Sequence, residues 1–266
     1  MPELAEVEFY RRQWDEGVGH KISRIAFHEN VRVFRGNDLD LLREISELKG
    51  KTLTGSKAAA KQMLFTFSGD LWMGIHLGMS GRLSVAPVNW MPEKHDHLVL
   101  FQKERAFIYN DARQFGRILI HKGLEAPEWW RSIAPPVSSK EFTPTLVSRF
   151  LKQHARLPIK SALLLQKGFP GIGNWMADEI LWRAGIAPVK LCASLSPDGS
   201  RRIWREARFV AREALMRIGE KSGEPPGNWL FHQRWTRGGI CPRHKSLLRR
   251  DNVGGRTTAW CSKCQK

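Results

Sequence analysis

Near the C-terminus of this chain, Cys241-Pro-Arg-His244 and Cys261-Ser-Lys-Cys264 stand sixteen residues apart. Two such knuckles bring four soft donors together, and one tetrahedral Zn²⁺ closes them into a single site. The spacing obliges the intervening chain to run out and return. Leu247 to Asn252 and Arg256 to Trp260 read as two strands, with Gly254-Gly255 in the turn, so the tail reads as a zinc-ribbon hairpin. Four ligands leave no open position, so the expected cofactor is one structural Zn²⁺. His244 supplies a neutral ligand where a cysteine would supply a thiolate. Cys192 lies outside the pattern.

Charge places the tail in a basic half. Of the net +17, residues 1–130 hold 18 Lys/Arg against 17 Asp/Glu, and residues 131–266 hold 25 against 9. A near-neutral half joined to a strongly basic one predicts a polyanionic partner held mainly by the second, with nucleic acid as first candidate. No apolar run approaches the ~20 residues of a membrane span. The acidic N-terminus lacks a signal-peptide pattern, so a cytoplasmic protein with no membrane partner is expected.

The hydrophobic period changes along the chain. Lys21 to His28, Met63 to Phe67, Leu71 to His76, His97 to Phe101, Ala106 to Tyr109 and Arg117 to His121 read as short strands of an antiparallel sandwich or barrel. Gly36-Asn37-Asp38 reads as a turn into a helix from Leu39 to Leu48. Beyond a Pro-rich stretch, Thr145 to His154, Ile159 to Gln166, Trp175 to Ala184 and Arg201 to Ile218 read as helices, the last started by Ser196-Pro197. The expected organisation is an N-terminal β-sandwich domain (1–125), a linker (126–144), a helical domain (145–236) and a zinc finger (237–266). The fold class is multidomain α+β.

The N-terminus carries the reactive candidate. Removal of Met1 would leave Pro2 as a secondary amine. An α-amine has a pKa near ~8, against ~10.4 for lysine, so roughly a tenth is neutral at pH 7. Such an amine attacks electrophilic sugar carbons and forms a cationic iminium, an electron sink. Glu3 and Glu6 stand beside it as proton-transfer candidates at a helix start. Gly171-Ile-Gly-Asn174 forms a second candidate, a turn opening a helix whose amides suit a phosphate, with Lys160 upstream. Arg256 at the hairpin turn suits a phosphate as well.

Taken together these features resemble the formamidopyrimidine-DNA glycosylase and endonuclease VIII family over nearly the whole chain. The glycosylase branch fits better, because its opening is Pro-Glu-Leu. Further matching stretches are His76-Leu-Gly-Met-Ser-Gly81, Glu93-Lys-His-Asp-His97, Asp111-Ala-Arg-Gln-Phe-Gly116 and Leu164 to Ala187. The resemblance implies a β-sandwich, a helix–two-turns–helix domain and a zinc finger, with double-stranded damaged DNA in the cleft between domains. It implies a monomeric bacterial repair enzyme, held at the nucleoid through DNA, that excises formamidopyrimidine or 8-oxoguanine bases and cuts the abasic site by β,δ-elimination.

On the resemblance, Pro2 is the nucleophile, Glu3 the general acid toward the sugar oxygen, and Glu6 a second carboxylate near it. Lys61 contacts the lesion's phosphate, and Lys160, Asn174 and Arg256 contact the kinked backbone. Met79, Arg113 and Phe115 fill the void left by the flipped base, where a thioether, a guanidinium and an aromatic wedge suit unstacked DNA.

Four departures bear on substrate. Ala5 stands for the family's second proline, Gln114 for its second arginine, and His244 for a zinc cysteine. The segment from Ile218 to Cys241, with Gly223-Glu-Pro-Pro-Gly-Asn-Trp229-Leu-Phe231, is shorter than the usual base-capping loop. Alternative readings are an abasic-site lyase, an oxidised-pyrimidine glycosylase with little 8-oxoguanine activity, and a non-catalytic protein that binds damaged DNA.

Overall fold

The computed structural model describes residues 1–28, 32–34 and 39–266. The chain divides into two compact units. One comprises Met1–Pro2 and Glu6–Ile133; the other comprises Glu3–Ala5 and Ala134–Lys266.

The first unit begins in helix α1 (Leu4–Arg12), whose first turn clusters with the second unit. Eight strands follow: β1 (Arg24–Phe27), β2 (Leu53–Ala59), β3 (Gln62–Phe67), β4 (Leu71–His76), β5 (Arg82–Pro87), β6 (Asp96–Phe101), β7 (Arg105–Asn110) and β8 (Arg117–Lys122). They form two antiparallel sheets, ordered β1-β6-β7-β5 and β2-β3-β4-β8. Inward residues of both sheets, among them Met63, Phe65, Met73, Leu98, Phe107 and Tyr109, share one core. Trp14, fully buried beyond the end of α1, lies against Phe65 of one sheet and Phe107 of the other. Its indole N–H donates to the Ser84 carbonyl at 3.2 Å. Helix α2 (Leu39–Glu47) occupies the expected place, and the Gly36-Asn37-Asp38 turn lies outside the described residues. Sequence periodicity missed β2, whose small and polar Thr54-Gly-Ser-Lys57 run gives no alternation, and β5. A short helix, α3 (Glu128–Arg131), falls in the stretch expected to be linker; Trp129 packs so closely on Gly74 that a Cβ there would collide with it.

The second unit is helical. Its elements are α4 (Pro144–Gln153), α5 (Ile159–Leu163), α6 (Asn174–Ala184) and α7 (Pro197–Ala214). Thr143 and Ser196 cap α4 and α7, each accepting an amide hydrogen bond, and each helix has proline at its first position. Ile203, Ala207, Val210 and Ala214 line the buried stripe of α7, which winds on as a π-helical turn over Leu215–Glu220. Helix α5 stops short of the expected Gln166, and the chain turns through Gly171 at φ +85 into α6. Helix α6 is buried on nearly every side and ends at Gly185 in the left-handed region. The hairpin of β9 (Arg249–Val253) and β10 (Arg256–Trp260) turns on Gly254 and Gly255, both at positive φ, which the tight two-residue turn requires.

Candidate functional site

In the first unit, the N-terminus meets the β2–β3 hairpin. Ala59 pairs with Gln62, so Ala60 and Lys61 form a two-residue turn, with Ala60 at φ 55. That turn carries the Lys61 ammonium to within 4.0 Å of the Met1 sulfur. Met1 is exposed and Pro2 half-buried behind it. Glu6 sits in the first turn of α1, also half-buried.

Met79, Arg113 and Phe115 come from two loops that are stitched together. The Ser80 hydroxyl donates to Asp111 Oδ1 at 2.6 Å and accepts the Arg113 amide at 3.3 Å. Asp111 Oδ2 accepts the Gly116 amide at 2.7 Å, and His97 Nε2 lies 2.9 Å from the Asp111 carbonyl. Gly78, at φ +60, packs so tightly on the Phe115–Gly116 backbone that no Cβ fits. Asp111 is wholly buried, whereas Met79 and Phe115 are 37% and 41% exposed. The Arg113 guanidinium lies 4.8 Å from the Phe115 ring centroid. A rigid polar clasp thus presents an apolar and cationic set of tips to solvent. Gln114 takes φ 53 and accepts the Arg32 amide at 3.0 Å.

In the second unit, Glu3 is 2% exposed and caps α6 from outside its own sequence neighbourhood. Oε2 accepts the Gly173 amide at 2.9 Å and the Met176 amide at 3.2 Å, and Oε1 accepts the Trp175 amide at 2.9 Å. These donors and the positive helix end stabilise negative charge on the carboxylate. A Cβ on Gly173 would collide with that carboxyl group. The general-acid expectation for Glu3 therefore meets a group anchored as a helix cap, which fixes the backbone next to Pro2.

Lys160 departs from its expected place at a DNA surface. It is fully buried, with Nζ 2.6 Å from the Asn174 carbonyl and 2.5 Å from Asp178 Oδ1. Burial pulls its ammonium below the usual lysine range, against the attraction of Asp178. As placed it braces the Asn174 turn and presents nothing to a phosphate; the position faces inward because α5 packs on α6. Asn174 is half-buried, and its Nδ2 donates to the Thr257 carbonyl at 2.9 Å. Arg256, the neighbour of Thr257, is exposed at the head of β10, and the Gly254 turn rests against Ser161 of α5. Sequence reasoning overlooked Asp178 and Asp111. The first stands one helical turn after Asn174, and the second lies inside a stretch already singled out, so both were marked only by their neighbours.

Cys241 Sγ, His244 Nδ1, Cys261 Sγ and Cys264 Sγ all lie within 4.8 Å of one another. Cys241 and Cys264 sulfurs are 3.5 Å apart, close to the about 3.8 Å edge of a tetrahedron built on Zn–S bonds of about 2.3 Å. His244 Nδ1 is 2.8 Å from Cys264 Sγ. Burial, then the Cys241 and Cys261 sulfurs, push the Cys264 thiol up to about 12; a divalent cation among them reverses that electrostatics. The Trp182 indole N–H of α6 donates to Cys241 Sγ at 3.4 Å and orients it from outside. The donor set fits a metal ion closed off from substrate.

Residues 1–118 match the family described as the formamidopyrimidine-DNA glycosylase N-terminal domain, and residues 133–224 match its H2TH domain. A formamidopyrimidine-DNA glycosylase of Carboxydothermus hydrogenoformans is 30% identical over 275 residues, covering 100% of both chains. The glycosylase of Lactococcus lactis, solved non-covalently bound to DNA containing an abasic site, superposes with a TM-score of 0.86 at 27% identity, covering 99% of each chain. A MutM structure in complex with DNA containing carbocyclic 8-oxoguanine gives 0.87 at 28% identity over 100% of each.

Proposed function

The chain belongs to the formamidopyrimidine-DNA glycosylase family, and from that premise we propose that it excises oxidised bases from double-stranded DNA and cleaves the resulting abasic site through Pro2. The observation that supports this reading is the setting of the N-terminus, with the Lys61 ammonium 4.0 Å from the Met1 sulfur and Pro2 followed in the chain by a Glu3 anchored by three amides. Once Met1 is removed, the Pro2 amine attacks C1′, the C1′–base bond breaks, and the base leaves with a proton. The sugar ring opens to an iminium at C1′. That cation acidifies the C2′ proton, whose loss expels the 3′ phosphate; a second elimination expels the 5′ phosphate. The Lys61 ammonium, 4.0 Å from the Met1 sulfur, pairs with a backbone phosphate of the lesion strand.

Asn174 and Arg256 hold the backbone from the second unit, and Met79, Arg113 and Phe115 fill the place of the flipped nucleotide. Cys241, His244, Cys261 and Cys264 hold one structural Zn²⁺ that keeps the hairpin folded. The chain acts in the cytoplasm as a monomer; among the described residues no helix is long and apolar enough to cross a membrane.

A second reading concerns the base. Between the π-helical turn and the metal ligands the chain is tied down: Trp229 and Leu230 are buried, and the Phe231 amide donates to Glu179 Oε2 at 3.2 Å. Little chain remains to cover a purine, which favours formamidopyrimidines, oxidised pyrimidines or abasic sites over 8-oxoguanine. Duplexes carrying one such lesion each test both readings. The expected products are strands ending in phosphate on both sides of the gap, with 8-oxoguanine the slowest base. Intact duplexes throughout would contradict the enzymatic reading, and fastest cleavage at 8-oxoguanine would contradict the second.

A further inference from the structure

One buried carboxylate joins several of the groups that hold Asn174 and Arg256. Asp178 is 1% exposed and sits one helical turn after Asn174 on α6. Its Oδ1 meets the Lys160 ammonium at 2.5 Å. Its Oδ2 accepts from Arg234 Nε at 3.0 Å, from the Arg234 terminal nitrogen at 2.8 Å, and from the Ala259 amide of β10 at 3.1 Å. Arg234 is itself 4% exposed, and its carbonyl accepts from Arg250 of β9 at 2.5 Å.

The pattern is a ladder. β10 pairs with β9 on one side only, so its other edge presents unpaired backbone groups. Thr257 and Ala259 are two residues apart and turn their polar groups to that same edge, about 6.6 Å apart along a strand. Asn174 and Asp178 are four residues apart, about one helical turn of 5.4 Å. Asn174 donates to the Thr257 carbonyl and Asp178 accepts from the Ala259 amide, so side chains of α6 serve as the missing strand. The Asn174 rung alone leaves β10 able to pivot. The Asp178 rung fixes its register, and Lys160, bonded to both Asp178 and the Asn174 carbonyl, braces the first rung against the second.

We propose that Asp178 is a positioning residue for DNA backbone binding: by locking the outer edge of β10 to α6, it sets where Arg256 stands relative to Asn174. The inference rests on the DNA-glycosylase reading above. It also accounts for Lys160, a buried cation that acts through Asp178 and Asn174.

The test is a double-mutant cycle in the full-length, zinc-loaded protein, read as affinity for a duplex containing a tetrahydrofuran abasic-site analogue. Asp178→Asn keeps the shape and removes the charge. With zinc content unchanged, it should weaken binding about tenfold and lower the salt slope by about 0.9, one phosphate contact. Borohydride trapping on an abasic duplex at saturation should stay within about threefold, because the lost interaction is one of binding. In an Arg256→Ala background the same substitution should cost almost nothing, since the group it positions is gone. Arg234→Gln, which leaves the Lys160–Asp178 pair intact, should show a smaller loss with the same dependence on Arg256, and it decides the matter if Asp178→Asn does not fold. A wild type that fails to bind this duplex overturns the functional reading and the inference with it. A wild type that binds, with losses that simply add to Arg256→Ala or with no loss at all, overturns the inference alone.

Discussion

In the first unit the side chains expected to meet DNA stand out from short turns on a stiff sandwich: Lys61 from the β2–β3 hairpin, and Met79, Arg113 and Phe115 from the loops clasped by Ser80 and Asp111. In the second unit the charged groups of the site other than Arg256 are buried. Glu3, Lys160 and Asp178 lie at 2% exposure or less and Asn174 is half-buried, while Arg256 is exposed at the head of β10. Tips on turns act by direct contact, so each is separable from the fold that bears it. Buried charges act through backbone amides and carbonyls, where removing one partner strands another in the interior. The difference predicts opposite consequences of substitution: loss of DNA contact without loss of stability in the first unit, and coupled losses in the second.

The largest effect should come from Pro2→Gly, which keeps an N-terminal amine but removes the secondary one. Base excision should disappear while duplex binding survives, and an excision assay alongside a binding titration checks both. Gly173→Ala comes next. The added methyl displaces the Glu3 carboxylate from the α6 amides, shifts the backbone next to Pro2 and should lower the trapping rate about a hundredfold, the scale of a reacting group misplaced by about 1 Å. Unchanged trapping would show that the cap does not hold the reactive end. Chelation of the metal should unfold the β9–β10 hairpin, release Arg256 and weaken DNA binding; full affinity in the metal-free protein would remove the hairpin from the site.

Phe115→Ala sharpens the contrast from the other side. It should shift folding stability by no more than about 0.5 kcal/mol, as surface changes do, yet cost roughly 1–3 kcal/mol of affinity for a lesion duplex, the worth of one base–aromatic stack. The effect furthest from DNA concerns Glu179, whose carboxyl burial raises from 4.5 to about 7 against Arg183 and the Phe231 amide. The folded protein therefore holds this proton more tightly than the unfolded chain. Its contribution to stability is fully present below pH 4.5 and is lost as pH rises toward 7, at no more than about 1.4 kcal/mol per unit. Glu179→Gln should flatten that slope in thermal melts at pH 5 and 7, and equal slopes in both proteins would refute it.

What the sequence disclosed follows the same division. The strands with alternating apolar residues were legible, as were the capped helices α4 and α7 and the hairpin around its four ligands, because each is specified locally. Strand β2 was not, since its small and polar residues carry no period. Lys160 was legible as a cation but not as a buried one. Its burial depends on Asp178, which lies 18 positions away and meets it only once the chain has folded. Glu3 showed its chemistry but not its partners, the amides of residues 170 positions and more along the chain.

The most direct test of the account is borohydride trapping on duplex DNA with a single abasic site, followed by mapping of the cross-linked peptide in protein verified to lack Met1. The account predicts one covalent adduct, on the nitrogen of Pro2. An adduct on a lysine, or none at all from protein that binds the duplex, would contradict it.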